Sequence, residues 1–329
     1  MTGLVLVIAV ALLFDYTNGF HDAANAIAPV VSTRGLSLRS ALAMGALMNL
    51  VGALLGTGVA VTVAKGIIDT PTGPHALIVV FGALVGAVTW NVITWYFGLP
   101  SSSSHALVGG LVGVGLVSGT TVHWAGVVGK VIVPMVVSPL LGLVLGYLLM
   151  LAVLWLFRSA SYHATERGFR RIQILSAASL ALGHGLQDAQ KSMGLIVLAL
   201  LATQHQHDAH VPLWVILSCA TAMAAGSYSG GRRIMRTLGQ RIFPLTPPHG
   251  FVAELTGSLV LYLTAFVFAA PVSTTHVITS AIMGVGTTRR PSAVRWAVAE
   301  NIVFGWLLTL PAAAIVAALC YWPLHAIWG

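Results

Sequence analysis

Two short polar segments lie inside apolar stretches of the chain and carry the side chains best suited to chemistry. Residues 18–28, NGFHDAANAIA, contain Asp22, and residues 184–194, HGLQDAQKSMG, contain Asp188. The two segments align with each other, with a Gly and an Asp at matching places. A carboxylate inside a membrane-spanning segment is costly and usually marks a path for an ion or a polar substrate. We therefore interpret the two aspartates as equivalent parts of one site.

A second pair of segments repeats more closely and supplies hydrogen-bond donors. Residues 100–115, PSSSSHALVGGLVGVG, align with residues 271–286, PVSTTHVITSAIMGVG, and keep the Pro, three consecutive hydroxyl residues, the His and a Gly-Val-Gly. A helix that begins at the hydroxyl run has free backbone N–H groups and the positive end of the helix dipole in its first turn. Two such helix N-termini, with added Ser and Thr hydroxyls, suit the binding of an oxyanion.

The composition shows what kind of elements must position these residues. The chain is 57% hydrophobic and only 7% charged, whereas soluble domains carry roughly 25% charged residues. Apolar runs of about 20 residues, each long enough to cross a bilayer as a helix, recur from end to end. We therefore predict an all-α polytopic membrane protein embedded in the lipid bilayer of the cell membrane. The predicted spans are 3–30, 40–63, 76–97, 104–121, 125–157, 172–202, 212–230, 250–270, 272–287 and 296–322.

The basic residues predict how these spans are oriented. Lys and Arg concentrate in loops on the cytoplasmic side of membrane proteins, and this chain has four arginine clusters between its spans. The clusters are Arg34 and Arg39; Arg158, Arg167, Arg170 and Arg171; Arg232, Arg233, Arg236 and Arg241; and Arg289, Arg290 and Arg295. Counting crossings between them predicts a cytoplasmic central loop and both termini outside. The clusters also explain the net charge of +8 without a nucleic-acid partner.

The same count divides the chain into two repeats of opposite orientation. Repeat 1 is predicted at 1–157, a cytoplasmic linker at 158–171 and repeat 2 at 172–329. In each repeat we predict a first helix broken at the Asp motif and a re-entrant helical hairpin, with Pro100 or Pro271 breaking the chain at its tip. Inverted repeats with irregular segments near the midplane are typical of secondary transporters.

Carboxylates beside an oxyanion site are consistent with two interpretations. They can hold a co-transported cation, or they can accept hydrogen bonds from a protonated anion. At pH 7 phosphate carries O–H donors and sulfate does not, so a site with both Ser/Thr donors and Asp acceptors favours phosphate. The two roles can coexist.

With these motifs in order, the chain resembles the PiT family of inorganic phosphate transporters over nearly its whole length. The likeness is carried by NGFHDAANA, GLPSSSSH, GHGLQDAQKSMG, GFVAEL and PVSTTH. The resemblance implies an inverted-repeat helical bundle, usually a homodimer, that imports phosphate with Na⁺ or H⁺, in part as a neutral complex with a divalent metal. The substrate-binding residues that it implies are Asp22, Asn25, Ser102, Ser103, Ser104, Asp188, Lys191, Ser273, Thr274 and Thr275.

The chain departs from the family where the coupling ion would bind. The common core Gly-Ala-Asn-Asp reads Gly-Phe-His-Asp at 19–22 and Gly-Leu-Gln-Asp at 185–188. His is a poor Na⁺ ligand and titrates near physiological pH, so H⁺ is preferred over Na⁺. The predicted coupling-ion residues are His21, Asp22, Gln187, Asp188 and Glu254. Lys191 matches Asn25 in the repeat and would add a fixed positive charge beside the anion.

Other interpretations of the same residues remain open at this stage. A transporter of sulfate or another oxyanion is the first alternative. An intramembrane phosphatase is less favoured, because a hydrolase needs unlike roles for its nucleophile, acid and anion holder, and a channel ranks below both. We expect no enzymatic activity and no cofactor besides the coupling cation. His105 and His276 are equally consistent with substrate contact and with bracing the hairpin tips.

Overall fold

The computed structural model describes residues 2–60, 67–69 and 73–328, and the regular structure of these residues is almost entirely helical. The main helices of the first half are α1 (Thr2–Ser32), α2 (Leu38–Ala53), α3 (Pro74–Phe97), α4 (Ser103–Ser118) and α5 (Trp124–Leu156). Those of the second half are α6 (Tyr162–Ala202), α7 (Leu213–Ser229), α8 (Arg232–Arg241), α9 (Pro247–Val267), α10 (Thr274–Thr287) and α11 (Trp296–Trp328).

Several of these helices are long and apolar enough to cross a membrane. Among the described residues, α1, α3, α5, α9 and α11 each contain such a segment, and α7 with α8 makes a sixth if their 59° bend lies within one span. The all-helical polytopic architecture predicted from composition is therefore confirmed. The orientation of the helices in the bilayer stays a prediction.

The first helix of each half is continuous, so the expected break at the Asp motif is wrong. Helix α1 runs through Asp22, and α6 runs through Asp188 without interruption over 41 residues. Backbone groups that leave a helix inside a bilayer need other hydrogen-bond partners. Here the polar side chains project from intact helices and find their partners on neighbouring helices, so the backbone has no reason to open.

Two predicted boundaries also move. The span expected at 40–63 is helical as α2 only to Ala53, and residues 61–66 lie outside the described part of the chain. The segment assigned to the central loop, 158–171, is mostly helix, because α6 begins at Tyr162 with Ser161 accepting the cap hydrogen bond from the Ala164 amide. The arginines of this region fit a helix because the first turns of α6 are exposed, so their charged side chains remain on the surface.

The two hairpins begin their second helices where the hydroxyl runs predicted. Helix α4 starts at Ser103 and α10 starts at Thr274, and each packs against the helix that precedes it, α3 and α9 respectively. With 16 and 14 residues, these helices extend about 24 and 21 Å, less than the roughly 30 Å hydrocarbon core of a bilayer. Each is therefore too short to cross the hydrocarbon core alone, as the predicted re-entrant hairpins require, and their placement in the membrane stays a prediction.

The second half of the chain repeats the packing of the first. Helix α1 packs on α7 while α6 packs on α2, and α4 packs on α11 while α10 packs on α5. Matching positions make close backbone approaches: a Cβ at Gly19 would lie 2.3 Å from the Met223 carbonyl oxygen, and one at Gly185 would lie 2.1 Å from that of Asn49. Each half is thus completed by helices of the other, and their shared centre lies along α1 and α6.

Candidate functional site

The two Asp motifs meet at the centre of the bundle. Asp22 of α1 and Asp188 of α6 are 166 positions apart in the sequence, yet the structure brings their carboxylates together with the His184 ring, with the three ligand atoms within 4.8 Å of one another. All three side chains are buried. The pairing expected from the sequence repeat therefore exists as a single enclosed cluster.

Asp22 is held by groups from both hairpins. The Ser103 hydroxyl donates to its Oδ2 at 2.9 Å, and the Thr275 hydroxyl donates to its Oδ1 at 3.3 Å. The ring Nδ1 of His21 lies 2.7 Å from the same Oδ1. The carboxylate thus receives hydrogen bonds from the first turn of α4 and from the first turn of α10.

Asp188 has a stronger cationic environment. The Lys191 ammonium donates to its Oδ1, His184 Nε2 lies 3.0 Å from Oδ2, and the Thr274 hydroxyl donates to Oδ2 at 3.4 Å. Lys191 is the one Lys or Arg among the buried side chains of the described residues. A buried charge requires such a partner, because desolvation without compensation is prohibitive.

The contacts follow the two-fold pattern of the sequence repeat. Each aspartate accepts from the hairpin of its own half, through Ser103 or Thr274. The residue three positions after each aspartate donates to the hairpin of the other half: Asn25 Nδ2 to Thr275 Oγ1 at 2.7 Å, and Lys191 Nζ to Ser104 Oγ. The two halves therefore make equivalent contacts at matching positions, but the second half has a charged donor, Lys191, where the first has Asn25.

Two of the predicted substrate residues also cap the hairpin helices. Ser102 and Ser273 are the N-caps of α4 and α10, and their hydroxyls accept from the His105 and His276 amides at 3.3 and 3.2 Å. N-caps satisfy one of the free donors of a first turn. The hydroxyls that donate to the aspartates are those of Ser103, Thr274 and Thr275, whereas the Ser104 hydroxyl accepts from Lys191.

His21 and Gln187 connect the aspartates' helices to the first helix of each hairpin. His21 Nε2 lies 3.0 Å from the Thr94 hydroxyl of α3, and Gln187 Nε2 donates to the Thr264 hydroxyl of α9, also at 3.0 Å. His21 also touches Asp22, so it bridges the carboxylate to α3. Gln187 makes no equivalent contact with Asp188 in the hydrogen bonds of the described residues.

Glu254 lies away from the aspartates. Its carboxylate accepts from Gln173 Nε2 at 3.2 Å and from the Ser176 hydroxyl at 2.6 Å. Because Ser176 precedes Asp188 by 12 residues on the continuous α6, the two carboxylates' contacts on that helix are separated by about 18 Å. The coupling-ion role predicted for Glu254 therefore cannot depend on direct contact with the aspartate pair.

The two hairpin histidines pack as a unit against α11. The rings of His105 and His276 have centroids 4.8 Å apart, and the His276 ring stacks on Trp306 at 4.0 Å. The Trp306 indole donates to the Pro100 carbonyl at 3.0 Å. Of the two roles left open by the sequence, these contacts favour bracing of the hairpin tips.

The sequence prediction omitted His184, which the structure places against Asp188. Its ring Nδ1 also lies 3.0 Å from Asn49 Oδ1 of α2. The signal was available: His184 precedes Asp188 by four residues, so both lie on one face of a helix. It aligns with Asn18 in the first half, another polar residue of the repeated motif.

The cluster combines acceptors for a cation or proton with donors for an anion. Two carboxylates and an imidazole can ligate a cation, while the Ser and Thr hydroxyls, Lys191 and two helix N-termini can bind an oxyanion. Asp22 and Asp188 are at most 1% exposed, so neither side of the bundle reaches them in this conformation. Occupants can enter only if the surrounding helices move.

Comparison with known proteins places these features in a family context. The model of the phosphate transporter family matches residues 18–317. A protein of Rhizobium meliloti (strain 1021) named "Probable low-affinity inorganic phosphate transporter" is 48% identical over 322 residues, which are 97% of this chain and 95% of that protein. A protein of the same name from Bacillus subtilis (strain 168) is 42% identical over 327 residues, covering 98% of both.

A solved structure is similar in fold. The structure titled "The sodium-dependent phosphate transporter" superposes with a TM-score of 0.91 and covers 99% of this chain and 100% of its own. Its sequence identity is 24%, so the match concerns the arrangement of helices.

Proposed function

The chain belongs to the phosphate transporter family, and we propose that it imports inorganic phosphate through the cell membrane by symport with a cation. The observation that carries the proposal is the enclosed cluster in which both aspartates and the hydroxyls of both hairpins converge. The family and its relatives are transporters, so the intramembrane phosphatase considered from the sequence is set aside.

Phosphate fits the mixed chemistry of this cluster better than sulfate does. The Ser103 and Thr274 hydroxyls and the Lys191 ammonium would turn from the carboxylates to the anion, which offers oxygens to all three. The freed carboxylate oxygens of Asp22 and Asp188 would then accept the O–H groups of protonated phosphate. Sulfate has no such donor at pH 7 and would leave buried acceptors unpaired, which costs about 1–3 kcal/mol per group.

Burial of the aspartates supports transport by alternating access. Because the cluster is closed to both sides, phosphate must enter and leave through different conformations of the helices around it. In the proposed cycle, the two repeats have opposite orientations and rock against each other about this centre, as inverted repeats do in many transporters. The hairpin tips then close the path alternately.

We propose H⁺ as the coupling cation in preference to Na⁺. His21 Nδ1 lies 2.7 Å from Asp22 Oδ1, and histidine is a poor ligand for Na⁺ but a common proton carrier. Gln187 directs its amide N–H toward α9. A divalent metal bound with phosphate would find its ligands in Asp22, His184 and Asp188. Transport of a neutral metal–phosphate complex is therefore the second form of the same proposal.

Placement in the membrane and assembly belong to the proposal as well. The arginine clusters are taken as cytoplasmic and both termini as external. Helices α5 and α11 are the least buried of the candidate spans, with only 22% and 28% of their most apolar segments buried. Their exposed faces suit lipid and the second copy of a homodimer.

Transport by purified protein in proteoliposomes tests the proposal. Labelled phosphate should enter vesicles preloaded with unlabelled phosphate, and excess sulfate should not compete. An inward pH gradient in Na⁺-free buffer should drive accumulation, whereas an Na⁺ gradient at equal pH should not. Sulfate uptake without phosphate uptake would contradict the substrate, and accumulation driven by Na⁺ alone would contradict the coupling ion.

A further inference from the structure

Asp15 is a buried carboxylate that the phosphate site described above does not use. It precedes Asp22 by seven residues on α1, about 10 Å along the helix axis, and none of its surface is exposed. The alignment that pairs Asp22 with Asp188 places Ala181 at the matching position of α6. Asp15 therefore lies outside the two-fold pattern, and its role belongs to one half alone.

Among the described residues, Asp15 has no direct cationic partner. The Ser192 hydroxyl donates to its Oδ1, and the Cys219 thiol of α7 lies beside the carboxyl group. Its Oδ2 makes no hydrogen bond with the described residues. Lys191 adjoins Ser192 in sequence, but its ammonium bonds to Asp188 and Ser104.

Within the described part of the chain, the titratable and charged groups around Asp15 come from α1, α6 and α7. Asp188 and Lys191 of α6 act on it electrostatically, Cys219 of α7 touches it, and Asp22 follows it on α1. An ionised carboxylate removed from water with one hydroxyl and one weak thiol donor is poorly stabilised. The neutral acid suits this setting, because the unpartnered Oδ2 can carry a proton.

We propose that Asp15 holds the proton that is co-transported with phosphate. The proposal rests on the function given above and names the residue that couples it to the pH gradient. Asp15 binds its proton when its side of the bundle opens outside, and it loses that proton inside. Ser192, one residue from Lys191 and one helical turn from Asp188, links the carboxyl group to the phosphate site along α6.

Electrostatic repulsion couples protonation of Asp15 to phosphate binding. The phosphate site already contains two carboxylates and one lysine, so an arriving anion meets little net positive charge. An ionised Asp15 would add a third carboxylate and weaken anion binding, whereas a protonated one would not. Because linkage is reciprocal, bound phosphate raises the affinity of Asp15 for its proton, and departure of phosphate lowers it.

The test compares Asp15→Asn with wild type in two assays on the same proteoliposomes. Asn keeps the size and hydrogen bonding of the carboxyl group but cannot bind and release a proton. Phosphate counterflow without a gradient should fall no more than a few fold, whereas accumulation driven by an inward pH gradient should fall at least tenfold. A pH dye inside the vesicles should report proton entry with phosphate in wild type and none in the variant. Asp69→Asn, the same change at a half-exposed residue, should behave as wild type.

A second variant decides the case if Asp15→Asn loses both activities. Asp15→Glu keeps a titratable group, so recovery of gradient-driven accumulation with Glu supports the proposal. Counterflow without accumulation in the Glu variant, or full accumulation by the Asn variant, would overturn it. Loss of both activities in both variants would assign Asp15 a packing role and also overturn it. Failure of wild-type counterflow would instead reject phosphate transport itself.

Discussion

At the scale of single residues, the site is a duplicated arrangement with one changed charge. Asn25 and Lys191 occupy matching positions and donate to matching hydroxyls, Thr275 and Ser104. In the first half, which has Asn25, the Asp22 carboxylate accepts from neutral hydroxyls and from His21. In the second half, the Lys191 ammonium binds the Asp188 carboxylate. The added ammonium offsets part of the negative charge of the two aspartates. The site can therefore bind an anion while it keeps both carboxylates.

The aspartates themselves should be indispensable. We expect Asp22→Asn and Asp188→Asn each to abolish phosphate uptake while the protein still inserts, since each replaces two acceptor oxygens with one acceptor and one donor. A hydrogen bond to a charged group contributes about 1.5–3 kcal/mol, which corresponds to roughly a 10- to 100-fold loss of affinity for each bond lost. Uptake in proteoliposomes is the measurement, and near-normal transport by either variant would contradict the central site.

Lys191→Asn makes the second half match the first. The new amide can still donate to Ser104, but Asp188 loses its ammonium partner. Removing one partner of a buried ion pair costs about 3–5 kcal/mol, so we expect a lower melting temperature and at least tenfold weaker phosphate binding. The double variant Lys191→Asn with Asp188→Asn should regain much of the thermal stability and none of the transport. Equal stability of the single and double variants would argue against this ion pair.

At the scale of elements, the hairpin helices combine two functions in consecutive residues. Ser102 and Ser273 cap the helices, and the next residue of each run, Ser103 or Thr274, donates to an aspartate. The helices α1 and α6 present their polar groups without any break in the backbone. The hydroxyl donors therefore come from helix ends, and the carboxylate acceptors come from helix sides.

Neighbouring serines of one hairpin should separate these functions. Ser102→Ala removes an N-cap and should lower stability by about 1 kcal/mol with a modest effect on phosphate affinity. Ser103→Ala removes a donor to Asp22 and should weaken phosphate binding by about tenfold with little change in stability. Thermal unfolding and counterflow of the two variants test this, and the reverse assignment of effects would be inconsistent with the structure.

Gly185 should be required for the contact between α6 and α2. A Cβ there would lie 2.1 Å from the Asn49 carbonyl oxygen, and backbone cannot shift without separating the helices. Gly185→Ala is therefore expected to destabilise the protein and reduce folded yield. Gly168→Ala on the same helix meets nothing within 4 Å and should stabilise by up to about 1 kcal/mol. Similar yields for both variants would contradict the packing.

At the scale of the whole molecule, each half depends on helices of the other. The pairs α1 with α7 and α6 with α2 interlock the repeats, while α4 with α11 and α10 with α5 anchor each hairpin on the opposite half. Motion of one half against the other would move both hairpin tips relative to the aspartates. In the proposed transport cycle, such a motion would open the enclosed site.

The orientation of the repeats can be tested from outside the cell. Gly168→Cys lies near the central arginine cluster, and His207→Cys lies in the loop after α6; both positions are exposed. In a background with Cys219 and Cys320 replaced by Ser, we expect a membrane-impermeant thiol reagent to label residue 207 on intact cells. Residue 168 should react only after permeabilisation. Labelling of both on intact cells would reject the predicted topology.

The sequence by itself determined the fold class, the pairing of the repeated motifs and most residues of the candidate site. Low charge and recurring apolar runs require membrane helices, and the paired motifs around Asp22, Asp188 and the hydroxyl runs identify the elements that meet. It also located the starts of α4 and α10, because a Pro followed by hydroxyl residues both breaks one helix and caps the next. The Pro and hydroxyl residues act on the backbone within a few positions, so the sequence alone is enough to locate these helix starts.

Only the tertiary structure decided which groups touch. The continuity of α1 and α6, the contact of His184 with Asp188, and the separation of Glu254 from the aspartates depend on how helices from opposite halves pack. The isolation of Asp15 beside Ser192 and Cys219 depends on the same packing. Such contacts join residues far apart in the chain, and a buried polar group's partner is set by the helix that covers it, which sequence spacing does not specify.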